Sequence, residues 1–136
     1  MLQRFEMPNA FLAVMLLSVV TTLTGCGGAE EGKKTAEVTI TITHNGSPVT
    51  EGDVRMMMTG KGEGAMGTLN ESGQVELQEV VLGNYSVSVT PPEGTPDNPI
   101  PKKEYPNIPK QYRTLQESPL KADVKAGTNE FTFDLK

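Results

Sequence analysis

From residue 36 onward the apolar side chains recur at every second position, in short runs broken by glycine, asparagine and proline. In Ala36–Thr43, Ala36, Val38, Ile40 and Ile42 fall on one face, and Glu37, Thr39, Thr41 and Thr43 fall on the other. A chain patterned this way cannot hide its apolar residues as a helix, because a period of two matches only the pleat of a strand. One buried face and one wet face further imply antiparallel sheets. The pattern returns with Val54, Met56 and Met58 inward and Arg55, Met57 and Thr59 outward. It continues with Val75 and Leu77, then Tyr85, Val87 and Val89, and ends with Phe131, Phe133 and Leu135 alternating with Glu130, Thr132 and Asp134. Weaker strand candidates lie at Ala65–Leu69 and Leu120–Val124. Turn formers separate the runs: Asn45-Gly46, Asn70-Glu71-Ser72-Gly73, Gly83-Asn84 and Gly127-Thr128-Asn129. About seven short strands without a convincing helix predict a single all-β, Ig-like sandwich.

Composition excludes some partners. The 136 residues carry a net charge of -5, which argues against nucleic-acid binding, since that requires clustered Lys and Arg to neutralise phosphates. The single cysteine, Cys26, cannot close an internal disulfide, so the fold must rest on its core.

One stretch departs from the alternation. Pro91–Pro119 holds eight of the ten prolines, and proline cannot donate to a ladder. The expectation is a long surface loop. Loops longer than about 12–15 residues are usually functional or disordered, so this one is either the contact surface or a plain connector.

The N-terminus raises a different question. Ala10–Leu23, AFLAVMLLSVVTTL, is fourteen mostly apolar residues, short of the roughly 20 a membrane-spanning helix needs. Its length suits the apolar region of a signal peptide. Leu23-Thr24-Gly25-Cys26, which ends it, resembles the bacterial lipobox. That resemblance implies a diacylglycerol thioether on Cys26, cleavage between Gly25 and Cys26, and an amide-linked acyl chain such as palmitate. The plainer alternatives are a signal peptide without lipid or an anchor helix, either with a chance cysteine, and Glu6 two residues after Arg4 in the leading segment departs from the usual pattern. The expected division is a signal peptide at 1–25, a flexible polar tether at 26–35 and a folded domain at 36–136. Gly27 follows the cysteine where aspartate would act as an inner-membrane retention signal, so the outer membrane is the expected destination.

The run GTLNESGQVELQEVVLGNYSVSVTPP is similar to carboxypeptidase regulatory-like domains, which are small transthyretin-like sandwiches. Gly73, Gly83, Tyr85, Val87 and Val89 carry the likeness, with Gly46, Pro48, Val49, Gly52 and Val54 upstream. The ending, through Pro109, Tyr112, Ser118, Pro119 and Leu120, resembles small planctomycete lipoproteins. These resemblances imply a transthyretin-like fold and an interaction or structural role, with no catalytic residue among the matched positions.

Candidate chemistries are few. Hydroxyisourate hydrolases of transthyretin-like fold need several histidines, and this chain has only His44; no catalytic residue is expected. Met56, Met57, Met58 and Met66 with His44 could be soft copper ligands, but strand alternation turns Met57 away from Met56 and Met58, so no metal or other cofactor is expected. A Lys–Asn isopeptide bond, known in some related surface domains, would have to join Lys33 or Lys34 to Asn129. Lys102-Lys103 reads as solvated charge that could meet an anionic surface. The reading is a non-catalytic binding or structural module, held at the membrane by its lipid, whose partner is an envelope protein or polysaccharide. The alternative is a periplasmic carrier of a metal or small molecule that uses Met57 and His44.

Overall fold

The structure is a computed structural model that describes residues 32–136. Cys26, the Leu23–Gly25 motif, the apolar run and most of the tether lie outside the described residues.

Strand β1, Thr35–His44, follows the alternation of its sequence: Val38, Ile40 and Ile42 are buried while the threonines between them are partly exposed. Asn45 and Gly46 both take positive φ, 50° and 84°. That pairing makes the tight turn whose twist suits a two-residue hairpin, and it brings back β2, Ser47–Pro48. Among the described residues this short return raises the strand number from the expected seven to eight. The others are β3 (Asp53–Met58), β4 (Gly64–Thr68), β5 (Gln74–Val81), β6 (Gly83–Thr90), β7 (Lys121–Val124) and β8 (Thr128–Leu135), with one 3-10 turn at Lys110–Tyr112.

Two sheets form. In the first, β1 is central. β8 runs parallel to it from Glu37 to His44, so antiparallel β5 and β2 must share its other side. The second sheet has the order β4-β3-β6-β7, antiparallel throughout. The chain changes sheets at β2–β3 and β5–β6, and it also crosses between edge strands at two connections on opposite sides of the sandwich, β4–β5 and β7–β8. At the β4–β5 connection, Gly73 donates to the Asn70 carbonyl at 2.9 Å, and the Asn70 side-chain oxygen accepts from the N–H groups of Ser72 and Gln74. A Cβ on Gly73 would stand 2.7 Å from the Ile42 carbonyl oxygen, and its φ is 73°, so only glycine fits there without strain.

The core lies between the sheets. Val38, Ile40 and Ile42 face Val54, Met56, Val87 and Val89, and Leu135 and Val124 close the β7–β8 side. Gly67 lets β4 approach β5, since a Cβ there would meet Val75 at 2.5 Å. The architecture is therefore an all-β sandwich. Phe133, expected in the core, is only partly buried, as is Phe131. The two rings stack with centroids 6.2 Å apart at the rim. Periodicity assigns them the right face, but β8 has β1 as its one neighbour, and an edge strand leaves its inward side chains half covered.

The end of β8 is fastened by Asp134. Its carboxylate accepts from Thr43 Oγ1 at 2.8 Å and from the Gly46 N–H at 2.9 Å, and it pairs with Lys136. The Lys136 ammonium, followed by those two donors, holds the carboxyl well below the usual carboxylate range.

Candidate functional site: the proline segment and its clefts

β6 and β7 are antiparallel neighbours, with Ser86 opposite Lys121. A tight turn could join such strands, yet residues 91–120 lie between them. The segment divides in two.

Residues 91–104 are largely exposed, and their internal order is a small turn in which Thr95 and Asn98 exchange main-chain hydrogen bonds at 3.1 Å. Residues 105–120 are built into the domain. Tyr105, Ile108, Tyr112 and Ser118 are buried. Ile108 inserts at the end of the sandwich near Leu69, its Cδ1 3.1 Å from where a Cβ of Gly52 would stand. Tyr112 is buried at the 3-10 turn, and its hydroxyl accepts the Lys136 N–H at 3.1 Å. Arg113 locks the turn from inside, donating from Nε to the Ile108 carbonyl (2.8 Å) and from Nη2 to the Tyr105 carbonyl (3.1 Å). These bonds occupy carbonyls that proline-bearing backbone could not satisfy through a ladder. The expectation of a surface loop therefore holds for the first half and fails for the second.

The segment shapes two depressions. One, about 420 Å³, is lined by Lys102, Lys103, Lys110 and Arg113, with the Tyr105 ring and the prolines at 91, 92 and 101; Glu104 also reaches it. Lys103 Nζ bonds Glu51 Oε2 at 2.6 Å and stands 5.3 Å from the Tyr105 ring centroid. The bond to Glu51 raises the Lys103 pKa above its ordinary value. The other depression, about 650 Å³, is an apolar groove bordered by Arg55, Met57, Met66 and Leu115 on the outward face of β3 and β4. Arg55 connects the two regions through an ion pair with Glu93 at 3.5 Å. Ser88, opposite Arg55 on the outward face of β6, is only 1% exposed, so that part of the sheet lies covered.

The residues singled out from sequence do not converge. Met56 and Met58 are core residues, whereas Met57 and Met66 are 42% and 63% exposed on the outer face. Met57 sits at the end of the sandwich where Leu82 bonds Lys34 and Met58 meets Gly83. His44 is at the far end of β1, nine residues beyond Thr35, or about 30 Å of strand. The structure does not bring Met57 and His44 together. Among the described residues no three His, Cys, Asp or Glu side chains group as metal ligands. Lys33 pairs with Glu63, and the Asn129 amide donates to the carbonyls of Lys125 (2.8 Å), Gly127 and Glu37. Lys33 and Asn129, of the suggested isopeptide partners, thus have other contacts. Among the described residues no helix is long and apolar enough to cross a membrane. Sequence reading missed Tyr105, Lys110 and Arg113, although the aromatic and aliphatic positions 105, 108 and 112 inside the proline run were a usable signal.

No protein-family model matches the chain, and no curated protein matches it. Among solved structures, it is similar to the crystal structure of BcpA, the major pilin subunit of Bacillus cereus, at 14% identity and a TM-score of 0.48. The likeness covers 74% of this chain and 30% of the pilin chain, so the chain spans well under half of that protein.

Proposed function

We propose that the protein is a lipid-anchored, non-catalytic binding module of the bacterial cell envelope that holds an acidic polysaccharide in the cationic cleft of its proline segment. The observation that carries the reading is the convergence of Lys102, Lys103, Lys110 and Arg113 on one cleft of a chain whose net charge is -5. Clustered cations on an acidic protein focus the field locally and draw a polyanion to one place. Tyr105 is buried behind the same cleft, with Lys103 Nζ 5.3 Å from its ring centroid, so binding there rests on the charges of the cleft. The reading as a carboxypeptidase regulatory-like, transthyretin-like domain draws support from Gly73 and Gly83, both at positive φ where the family resemblance puts glycines, and from Tyr85, Val87 and Val89 in the core. Anchoring rests on the motif Leu23-Thr24-Gly25-Cys26.

Two experiments test it. Polygalacturonate should bind the chain saturably at low salt, neutral dextran should not, and Lys102→Glu with Lys110→Glu should abolish the binding. Equal binding of both polymers, or an unaffected double variant, would remove the cleft from the account. Mass spectrometry of the N-terminus should find a mature chain that begins at an acylated Cys26, and Cys26→Ser should leave an unprocessed precursor. A different first residue would overturn the anchor while leaving the cleft standing.

A further inference from the structure

A β-sandwich has open strand edges, and soluble proteins protect them with charge, bulges or brevity. Three of the edges here are protected in that way. β5 carries Glu76 and Glu79 and a register shift opposite Ala36 and Val38, with Glu79 at φ 54°. β7 is four residues long and bears Lys121 and Asp123. β8 bears Glu130 and Asp134. β4, five residues long, has neither charge nor bulge. Its sequence is Gly-Ala-Met-Gly-Thr, without charge or proline.

The ladder fixes which backbone groups of β4 are free. Met58 donates to the Glu63 carbonyl at 2.8 Å, and Leu69 donates to the Gly52 carbonyl at 2.9 Å. Residues 63, 65, 67 and 69 therefore turn their N–H and C=O groups toward β3, and Gly64, Met66 and Thr68 turn theirs away. None of these three has a main-chain partner beyond the ladder among the described residues. Met66, at the middle of the edge, is 63% exposed on the sheet's outward face.

We propose that β4 is the surface through which a second copy of this chain adds, antiparallel, about a twofold axis at Met66. The strand is complementary to itself in that register. Met66 meets Met66 of the second copy, and Gly64 meets Thr68 in both directions, so all three outward residues become bonded pairs. Sliding the copies by two residues leaves one of the three unpaired on each strand. The charges beyond the strand agree with the register. Lys61 precedes β4 and Glu71 follows it, and neither is in an ion pair among the described residues. The twofold sets the Lys61 end of each strand beside the Glu71 end of the other, twice per dimer. A strand with like charge at both ends would be repelled in the same arrangement. The two Met66 side chains pack together across the axis and join the Met57 groove of one copy to that of the other. The result is one continuous eight-stranded sheet with an isologous interface.

The test uses the full chain, purified in a mild detergent, with the protein mass measured by light scattering over a concentration series. The wild type should approach the mass of two chains as concentration rises. Met66→Lys and Met66→Glu each oppose like charges across the axis, so each alone should dimerise at least about tenfold more weakly. An equimolar mixture of the two variants should recover the dimer, because opposite charges then face each other. Both variants should melt as the wild type does at the low concentrations where all are monomeric, since residue 66 is exposed. A wild type that stays monomeric, a variant that dimerises as the wild type does, or a mixture that fails to recover would each overturn the proposal. Association of Met66→Lys at wild-type strength would place the contact on another surface.

Discussion

The two halves of the segment between β6 and β7 start from similar sequence and end in different states. Residues 91–104 contain five prolines and residues 105–120 contain three, and neither half adds a strand. Proline content alone would treat them alike. The difference lies in what accompanies the prolines. The first half has one large aliphatic residue, Ile100, which is 40% exposed. The second half has Tyr105, Ile108 and Tyr112, which are buried, and Arg113, whose guanidinium bonds two carbonyls of the same turn. Proline removes ladder donors, but burial is decided by whether apolar anchors and a donor for the stranded carbonyls are available.

The contrast should be greatest in proteolysis. Trypsin has sites after Lys102 and Lys103 in the exposed half and after Lys110 and Arg113 in the docked half. Cleavage of the first pair needs only local opening, whereas cleavage of the second needs Ile108 and Tyr112 to leave the core. An opening cost of about 3 kcal/mol or more corresponds to a rate ratio above about a hundredfold. Peptide mapping over time should find the bonds after Lys102 or Lys103 cut well before those after Lys110 or Arg113. Cleavage after Arg113 at a similar rate would break the division.

The anchors can be tested against each other. Ile108→Ala removes a fully buried side chain and should cost about 2–5 kcal/mol. Ile100→Ala removes an exposed one and should stay within about 0.5 kcal/mol. Denaturant unfolding of both variants measures the difference, and similar losses would mean that the halves are equally docked.

The same pair of regions marks how far the sequence could be read. Alternation places Val38, Ile40, Ile42, Val87 and Val89 in the core, and Asn45-Gly46 and Asn70–Gly73 at the turns, because strand period and turn chemistry are local properties of the chain. The parallel pairing of β1 with β8 is not local. It joins residues about ninety positions apart, and nothing in either strand names its partner, so the half-exposed edge position of Phe133 could not be read in advance. The site was less legible still. Lys102 and Lys103 stood out as a pair, but the cleft needs Lys110 and Arg113 beside them, and that proximity exists only because Ile108 folds the second half back onto the domain.

Arg113 supplies the next, smaller effect. Arg113→Ala leaves the Ile108 carbonyl without its side-chain donor and the Tyr105 carbonyl with only the Ile108 N–H, and should cost about 1–3 kcal/mol, as expected for hydrogen bonds made by a charged group. Arg113→Lys should restore only part of this, since a single ammonium cannot span two carbonyls as the guanidinium fork does. In both variants trypsin should reach the bond after Lys110 sooner than in the wild type, which would blur the boundary between the halves. Full recovery by lysine would show that charge rather than geometry holds the turn.

The smallest effect belongs to Lys103–Glu51, one of two ion pairs, with Arg55–Glu93, that tie the exposed half to the domain. Both side chains are about half exposed, so salt should screen their attraction, with a Debye length near 3 Å at about 1 M. The bond to Glu51 raises the Lys103 pKa. A raised pKa on a cation means that the contribution is complete at neutral pH and is lost as pH climbs through the folded-state value, above the ordinary 10.5. Lys103→Gln should therefore lower the melting temperature slightly at pH 7 and low salt. The gap should close in 1 M NaCl, and it should close again as pH rises past about 10.5. A gap that survives both treatments would mean that Lys103 acts through its packing on the Tyr105 ring, and the exposed half would then be anchored to the core by a contact of the same kind that holds the docked half.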